Sequence, residues 1–155
     1  MGDDCINKDP TMELGYLIWR VSKYWQRGKH KLLDEFGLTG SQLELLGAIY
    51  HMSKLNMEVT QIVLSQETEI DPMTTSTILR NLEKKGLINR TESKTDTRAR
   101  IVDVTELGTE LFKKAKMKVE NEQERLFERI NKDALIKQLR DLLDEMDRLS
   151  KLDNF

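Results

Sequence analysis

The sequence predicts a mainly α-helical chain that carries one small β-hairpin. Three observations predict it: apolar residues recur three or four apart over most of the length, only Pro10 and Pro72 interrupt them, and one pair of β-prone runs flanks a polar loop. At 155 residues the chain suits a single folding unit, because a second independent core would leave each half marginal. Hydrophobic residues at 38% and charged residues at 34% fit a water-soluble globule of amphipathic helices, whereas a disordered chain carries fewer Leu, Ile and Val.

From Met12 to Phe36, the residues Leu14, Leu17, Ile18, Val21, Tyr24, Trp25, Leu32 and Phe36 form the stripe of one long helix, which Gly37 stops. A second helix starts with Thr39 or Ser41 as cap and carries Leu43, Leu46, Ile49 and Tyr50 to about Met52, leaving Ser53 to Glu58 as a connector. Thr60 caps a short third helix that turns Val63 and Leu64 inward, and Glu69 to Asp71 make the turn into a fourth. There Asp71 is the cap, and Pro72 occupies the first turn, where a missing N–H costs least. Gly86 ends that helix. The β-prone runs follow, Leu87 to Thr91 and Ile101 to Val104, around the charged loop from Glu92 to Arg100. Thr105 then caps a fifth helix whose apolar residues are Leu107, Leu111, Ala115, Val119, Leu126 and Ile130. After a break at Asn131 to Asp133, Leu135, Leu139, Leu142, Met146 and Leu149 make a heptad-like seam.

Several function classes find no support. The single cysteine, Cys5, rules out an internal disulfide framework and suits a reducing cytoplasm. No run approaches the roughly 20 apolar residues needed to cross a bilayer, and acidic residues stand at the N-terminus where a signal peptide is basic. His30 and His51 lie at no metal-ligand spacing, so neither a metal nor another cofactor is expected. An enzyme is not expected either, since the chain has no Gly-rich phosphate loop, no nucleophile elbow and no helical His pair beside a Glu.

The fourth helix divides at about 100° per residue, with Thr75, Ile78, Leu79 and Leu82 on one side and Met73, Thr74, Thr77, Arg80, Asn81 and Lys84 on the other. Two short helices joined by a tight turn, the second followed by a hairpin with a cationic tip, make a winged helix-turn-helix. The major groove of double-stranded DNA admits one α-helix, so a reader needs a packing face opposite a face of short polar side chains and cations. Thr74 and Thr77 suit base edges, Met73 offers apolar contact, and Arg80 and Lys84 are long enough for guanine or phosphate. Periodicity alone fits a solvated helix face equally well. In the hairpin tip, Lys94, Arg98 and Arg100 suit phosphates, with one arginine suited to the minor groove. Asp96 pairs with a wing arginine or caps the turn, giving the loop its shape.

Charge agrees with this reading. Between Arg80 and Arg100 the cations Arg80, Lys84, Lys85, Arg90, Lys94, Arg98 and Arg100 outnumber the anions Glu83, Glu92 and Asp96, although the formal total is −2.

The segments Val59-Thr60-Gln61-Ile62-Val63-Leu64-Ser65, Leu82-Glu83-Lys84-Lys85-Gly86-Leu87-Ile88, Asp96-Thr97-Arg98-Ala99-Arg100 and Val104-Thr105-Glu106-Leu107-Gly108 resemble, in order, motifs of the multiple antibiotic resistance regulator (MarR) family. The similarity runs from about Met12 through almost the whole chain. It implies a sequence-specific DNA-binding transcriptional regulator acting as a homodimer on a pseudo-palindromic operator, a repressor released by a small-molecule effector. Within the single chain 1–155, residues 39–104 become the DNA-binding region, while 12–36 and 105–152 become flanking dimerisation helices. The resemblance also places base and phosphate contacts on Met73, Thr74, Ser76, Thr77, Arg80 and Asn81, and Arg98 in the minor groove. Thr77 and Asn81 depart from it, standing where relatives often carry Arg; Thr68 stands where an apolar residue is usual. Peroxide-sensing relatives carry a reactive cysteine where this chain reads Leu14-Gly15-Tyr16, and Cys5 lies upstream of that stretch without a cation cluster to stabilise a thiolate.

The last helix bears a wider apolar face than one partner covers, since Ile136, Leu143 and Leu152 flank the seam; a twin buries it, or the helix folds back on its own domain. Tyr16, Trp19, Trp25, His51 and Met52 are candidates for an effector pocket near the junction of helices one, two and five, with ordinary core packing as the alternative.

Overall fold

A computed structural model describes residues 9–152, so Cys5 lies outside the described residues. The elements are α1 (Pro10–Leu33), a 3-10 turn (Asp34–Phe36), α2 (Gly40–Lys54), α3 (Gln61–Thr68), α4 (Pro72–Lys84), β1 (Ile88–Glu92), β2 (Arg100–Val104), α5 (Glu106–Phe127) and α6 (Lys132–Ser150). This is the expected mainly helical chain with a two-stranded antiparallel hairpin. Two compact units meet inside α5, between Lys118 and Val119.

Side chains at the helix ends explain where the first unit's helices start. Thr39 wins over Ser41 as the α2 cap because Gln42 completes a reciprocal box: the Gln42 N–H donates to Thr39 Oγ1 at 3.1 Å, and the Thr39 N–H donates to Gln42 Oε1 at 3.1 Å. Thr60 Oγ1 accepts from the Val63 N–H at 3.3 Å, and Asp71 Oδ1 accepts from the Thr74 N–H at 2.9 Å ahead of Pro72. At the far end of α4, Gly86 takes φ 71°, its N–H donates to the Glu83 carbonyl at 2.9 Å, and the Leu87 N–H donates to the Leu82 carbonyl at 3.0 Å. That pair of bonds is a Schellman motif, and only glycine adopts its left-handed residue without strain.

Several boundaries differ from expectation. The first helix gives way to the 3-10 turn at Asp34, α2 runs two residues into the expected connector, and α5 stops at Phe127 instead of continuing to Ile130. Asn131 explains the last, since its Oδ1 accepts from the Ala134 N–H at 3.1 Å and starts α6. Arg100, expected in the loop tip, is the first residue of β2 and stands across from Glu92 in the register Ile88↔Val104 to Glu92↔Arg100.

The core of the first unit gathers Leu33, Leu45, Leu46, Ile49, Leu64, Leu79, Leu82, Ile88 and Val102, all fully or almost fully buried. Phe112 and Ala115 of α5 close it, with the Phe112 ring against Gly47. Phe112 falls outside the expected α5 stripe, where Leu107 is instead exposed. The segment before α3 grips the hairpin: the Val102 N–H donates to the Val59 carbonyl at 2.7 Å, and Thr60 bridges Ile101. In the second unit, α6 has no buried residue. Among the described residues, no helix is long and apolar enough to cross a membrane.

Candidate nucleic-acid interface

The turn between α3 and α4 is tied by side chains. Ser65 Oγ donates to the Ile70 carbonyl at 2.6 Å, Thr75 Oγ1 donates to the same oxygen at 3.2 Å, and Gln61 Nε2 donates to the Pro72 carbonyl at 3.2 Å. Thr75 satisfies its hydroxyl while fully buried, so it joins Ile78, Leu79 and Leu82 as the back of α4. Thr68, the apparent polar intruder on α3, donates its Oγ1 to the Leu64 carbonyl at 2.7 Å and leaves no polar group unpaired.

With its back buried, α4 presents Met73, Thr74, Thr77, Arg80, Asn81 and Lys84 to solvent, with Ser76 half-buried at the edge. Met73 is 82% exposed, an extreme value for a large apolar side chain, which isolates it from any packing role. Arg80 lies along its own helix, donating from Nε to the Ser76 carbonyl and from Nη2 to Thr77 Oγ1, both at 3.4 Å. Bonds of that length in water are weak, so the guanidinium can leave them for a stronger acceptor. Thr77 Oγ1 also donates to the Met73 carbonyl at 3.1 Å.

The cations of the basic window separate into two groups. Lys85 donates to the Gly37 carbonyl and, at 3.3 Å, to Gln42 Oε1, tying the end of α4 to the start of α2. The Arg90 side chain is 13% exposed and its Nε lies 3.3 Å from Glu83 Oε2, an ionic approach without the alignment of a hydrogen bond. Arg80, Lys84, Lys94, Arg98 and Arg100 are exposed. These five exposed cations lie on α4 and the hairpin and add positive charge there.

The wing is held from within. Asp96 Oδ1 accepts from the Arg98 N–H at 2.9 Å, the Ala99 N–H donates to the Asp96 carbonyl at 3.0 Å, and the Ser93 N–H donates to the Ala99 carbonyl at 3.0 Å. Asp96 thus shapes the tip through backbone, while the Arg98 side chain projects into solvent. Buried Ser93, 6% exposed, and exposed Glu58 complete this base of the wing. Neither is marked by local pattern, because their contact spans 35 residues.

The aromatic candidates for an effector pocket lie on α1 and α2. Tyr16 stacks on Trp19 with centroids 6.0 Å apart, and the Lys23 ammonium stands 4.4 Å over the exposed Trp19 ring. Trp25 is 38% exposed, and Met52 is half-buried. His51 meets the rings of Tyr50 at 5.2 Å and Phe112 at 5.9 Å. Tyr50, one of the apolar positions of the second helix, carries the Lys54 ammonium 4.4 Å over its ring and Lys113 at 5.8 Å. A hydrogen bond with Lys54, with Lys113 adding to it, holds the Tyr50 phenol below its ordinary value against the opposing effect of burial.

Comparison with known proteins agrees with this geometry. The family model described as MarR family matches residues 36–99, from the end of the first helical segment into the wing. The uncharacterized HTH-type transcriptional regulator YdcH of Bacillus subtilis (strain 168) is 37% identical over 101 residues, covering 65% of this chain and 69% of the relative. The crystal structure of CouR from Rhodococcus jostii RHA1 bound to p-coumaroyl-CoA is similar with a TM-score of 0.74 and 26% identity, covering 90% of this chain and 95% of that one. The S. aureus MepR–DNA complex shares the fold with a TM-score of 0.76 at 24% identity, over 86% of this chain and 96% of that one.

Proposed function

This chain belongs to the MarR family of transcriptional regulators, and from that premise we propose that it represses transcription as a homodimer on a pseudo-palindromic duplex operator. One observation carries the reading: α4 buries Thr75, Ile78, Leu79 and Leu82 and exposes Thr74, Thr77, Arg80, Asn81 and Lys84, the division that a major-groove helix requires. In this reading Thr74, Ser76, Thr77 and Asn81 meet base edges, Met73 offers a methyl-sized apolar contact, and Arg80 and Lys84 meet guanine or phosphate. Arg98 enters the minor groove, Lys94 and Arg100 anchor neighbouring phosphates, and Asp96 holds the tip.

Residues 39–104 act as the reading head and 12–36 with 105–152 as dimerising helices, all in the cytoplasm. Exposed apolar side chains on α1 and α6 support that assignment, because faces of this kind are covered in soluble assemblies. A small molecule releases the operator. Support for it comes from CouR, which is bound to p-coumaroyl-CoA, and from the aromatic groups around Tyr16 and Trp19 and around His51 and Met52.

The test is selection of genomic fragments bound by the purified protein, followed by titration against salt. A symmetric enriched sequence is expected, with affinity falling steeply as salt rises because several phosphates release counterions. Recovery of no symmetric sequence at low salt would overturn the proposal.

A further inference from the structure

The hairpin is fastened to the body of the first unit by a side-chain node that the reading of α4 leaves unused. Glu58 lies in the connector between α2 and α3, and one of its carboxylate oxygens, Oε2, accepts from Ser93 Oγ at 3.3 Å and from Thr95 Oγ1 at 3.2 Å. Ser93 Oγ, in a residue only 6% exposed, in turn accepts from the Thr95 N–H and the Asp96 N–H, each at 3.2 Å. Asp96 passes the constraint on, since its carboxylate accepts from the Arg98 N–H at 2.9 Å. A short chain of bonds therefore runs from the body of the unit to the backbone of Arg98.

We propose that Glu58 is a positioning residue for the wing: as an acceptor for the Ser93 and Thr95 hydroxyls, it fixes the angle at which Arg98 meets DNA. The inference rests on the duplex-binding function proposed above. Its physical basis is hydrogen-bond accounting. Two backbone amides already point at the lone pairs of Ser93 Oγ, so its one proton goes either to Thr95 Oγ1 at 3.0 Å or to Glu58, and the Thr95 proton goes on to Glu58. Glu58 is thus the member of the node that only accepts. Without it the two hydroxyls are left to each other, and the oxygen that the Thr95–Asp96 amides share is held less firmly. The backbone clamp from Val59 to Val102 and the Thr60–Ile101 bridge hold the strands without Glu58, so loss of the node loosens the tip and leaves the hairpin in place.

A carboxylate beside DNA is an unfavourable charge, which gives the test its form. Glu58→Ala and Glu58→Gln both remove the charge, but only the amide keeps a carbonyl oxygen where both hydroxyls can donate. Each variant is measured as full-length protein against the selected operator and against random duplex, over a range of salt, together with amide hydrogen exchange in the absence of DNA. Relative to Glu58→Gln, which loses the same charge, Glu58→Ala is expected to speed exchange at Thr95 and Asp96, to lower operator affinity about tenfold and to reduce the salt slope on the operator by about one, as if the minor-groove cation were lost. Binding to random duplex should change far less. Glu58→Gln should bind the operator within about threefold of the unsubstituted protein once the common charge effect is read from random duplex. Three results overturn the proposal: Glu58→Ala binding the operator as well as the unsubstituted protein, unchanged exchange at both amides, or Glu58→Gln behaving like Glu58→Ala. Failure of the unsubstituted protein to bind any duplex is a different outcome, and it refutes the proposed function together with this inference.

Discussion

At the scale of single residues, the wing and the start of α4 make separable claims. Arg98 is exposed and carried on a tip that Asp96 shapes through its backbone. Arg98→Ala should leave the fold intact, weaken operator binding mainly at A·T-rich flanks, and lower the salt slope by about one. Quantitative binding to operators with altered flanks checks this, and equal losses on all flanks would remove Arg98 from the minor groove. Asp71 makes a claim about pH. Hydrogen bonds from Thr74, the hydroxyl first and then the backbone N–H, hold its carboxyl below the ordinary aspartate range. A folded value below the unfolded one contributes stability that is present above about pH 4 and is lost as pH falls through the folded value. Asp71→Asn keeps a neutral cap and should narrow its stability gap to the parent as pH drops from 7 to 3, measured by urea unfolding at each pH. A gap that stays constant would show that the Asp71 charge plays no part.

At the scale of elements, hydrogen-bonded ends and one close crossing decide which substitutions the unit tolerates. Gly108 lies where the first turn of α5 crosses the end of the Schellman motif, and a Cβ there would sit inside the Leu87 carbonyl and 2.9 Å from Val104 Cγ2. That carbonyl already accepts the Thr105 N–H at 3.0 Å, so it cannot move aside without breaking the start of the helix. Gly108→Ala should therefore destabilise the protein by about 1–3 kcal/mol, as overpacking does elsewhere, and loosen the hairpin base in hydrogen exchange. Thr39→Ala, by contrast, removes one reciprocal box and should cost about 1 kcal/mol in thermal or denaturant unfolding. These elements also show what a sequence can display. Asp71-Pro72 and Lys85-Gly86 announce the ends of α4, because caps act over three or four residues. The buried face of α4 was equally plain in its period. Phe112 was not, since its burial depends on Gly47 and Tyr50 far away in the chain, and Glu58 was hidden because its partners lie beyond any local window. Lys85 and Arg90 counted as surface charge in the sequence, yet their contacts with Gly37 and Glu83 emerge only after the chain has folded.

At the scale of the whole molecule, the apolar side chains that neither unit buries call for a cover. In α6, Ile136, Leu139 and Leu143 are about half exposed or more, and no residue of the helix is buried, although it runs for 19 residues. In α1, 24 residues long, only Leu33 is buried while Leu14, Val21 and Tyr24 stand in solvent. Isolated helices draw little stability from propensity alone, so both need a packing partner. In the proposed homodimer a second copy of the chain would supply one and at the same time bring two reading heads onto a single duplex, spaced by about 34 Å or one helical turn. Leu139→Glu places a charge in the middle of the α6 seam, where a dimer would have to bury it unpaired. The parent should sediment as a dimer at micromolar concentration and the variant as a monomer. Operator affinity should fall about a hundredfold or more, because the second head then binds as an independent molecule, while contacts to a single half-site should survive at high protein concentration. If the variant sediments as a dimer and binds the full operator unchanged, α6 has no part in pairing the heads and the twofold arrangement must come from elsewhere in the chain.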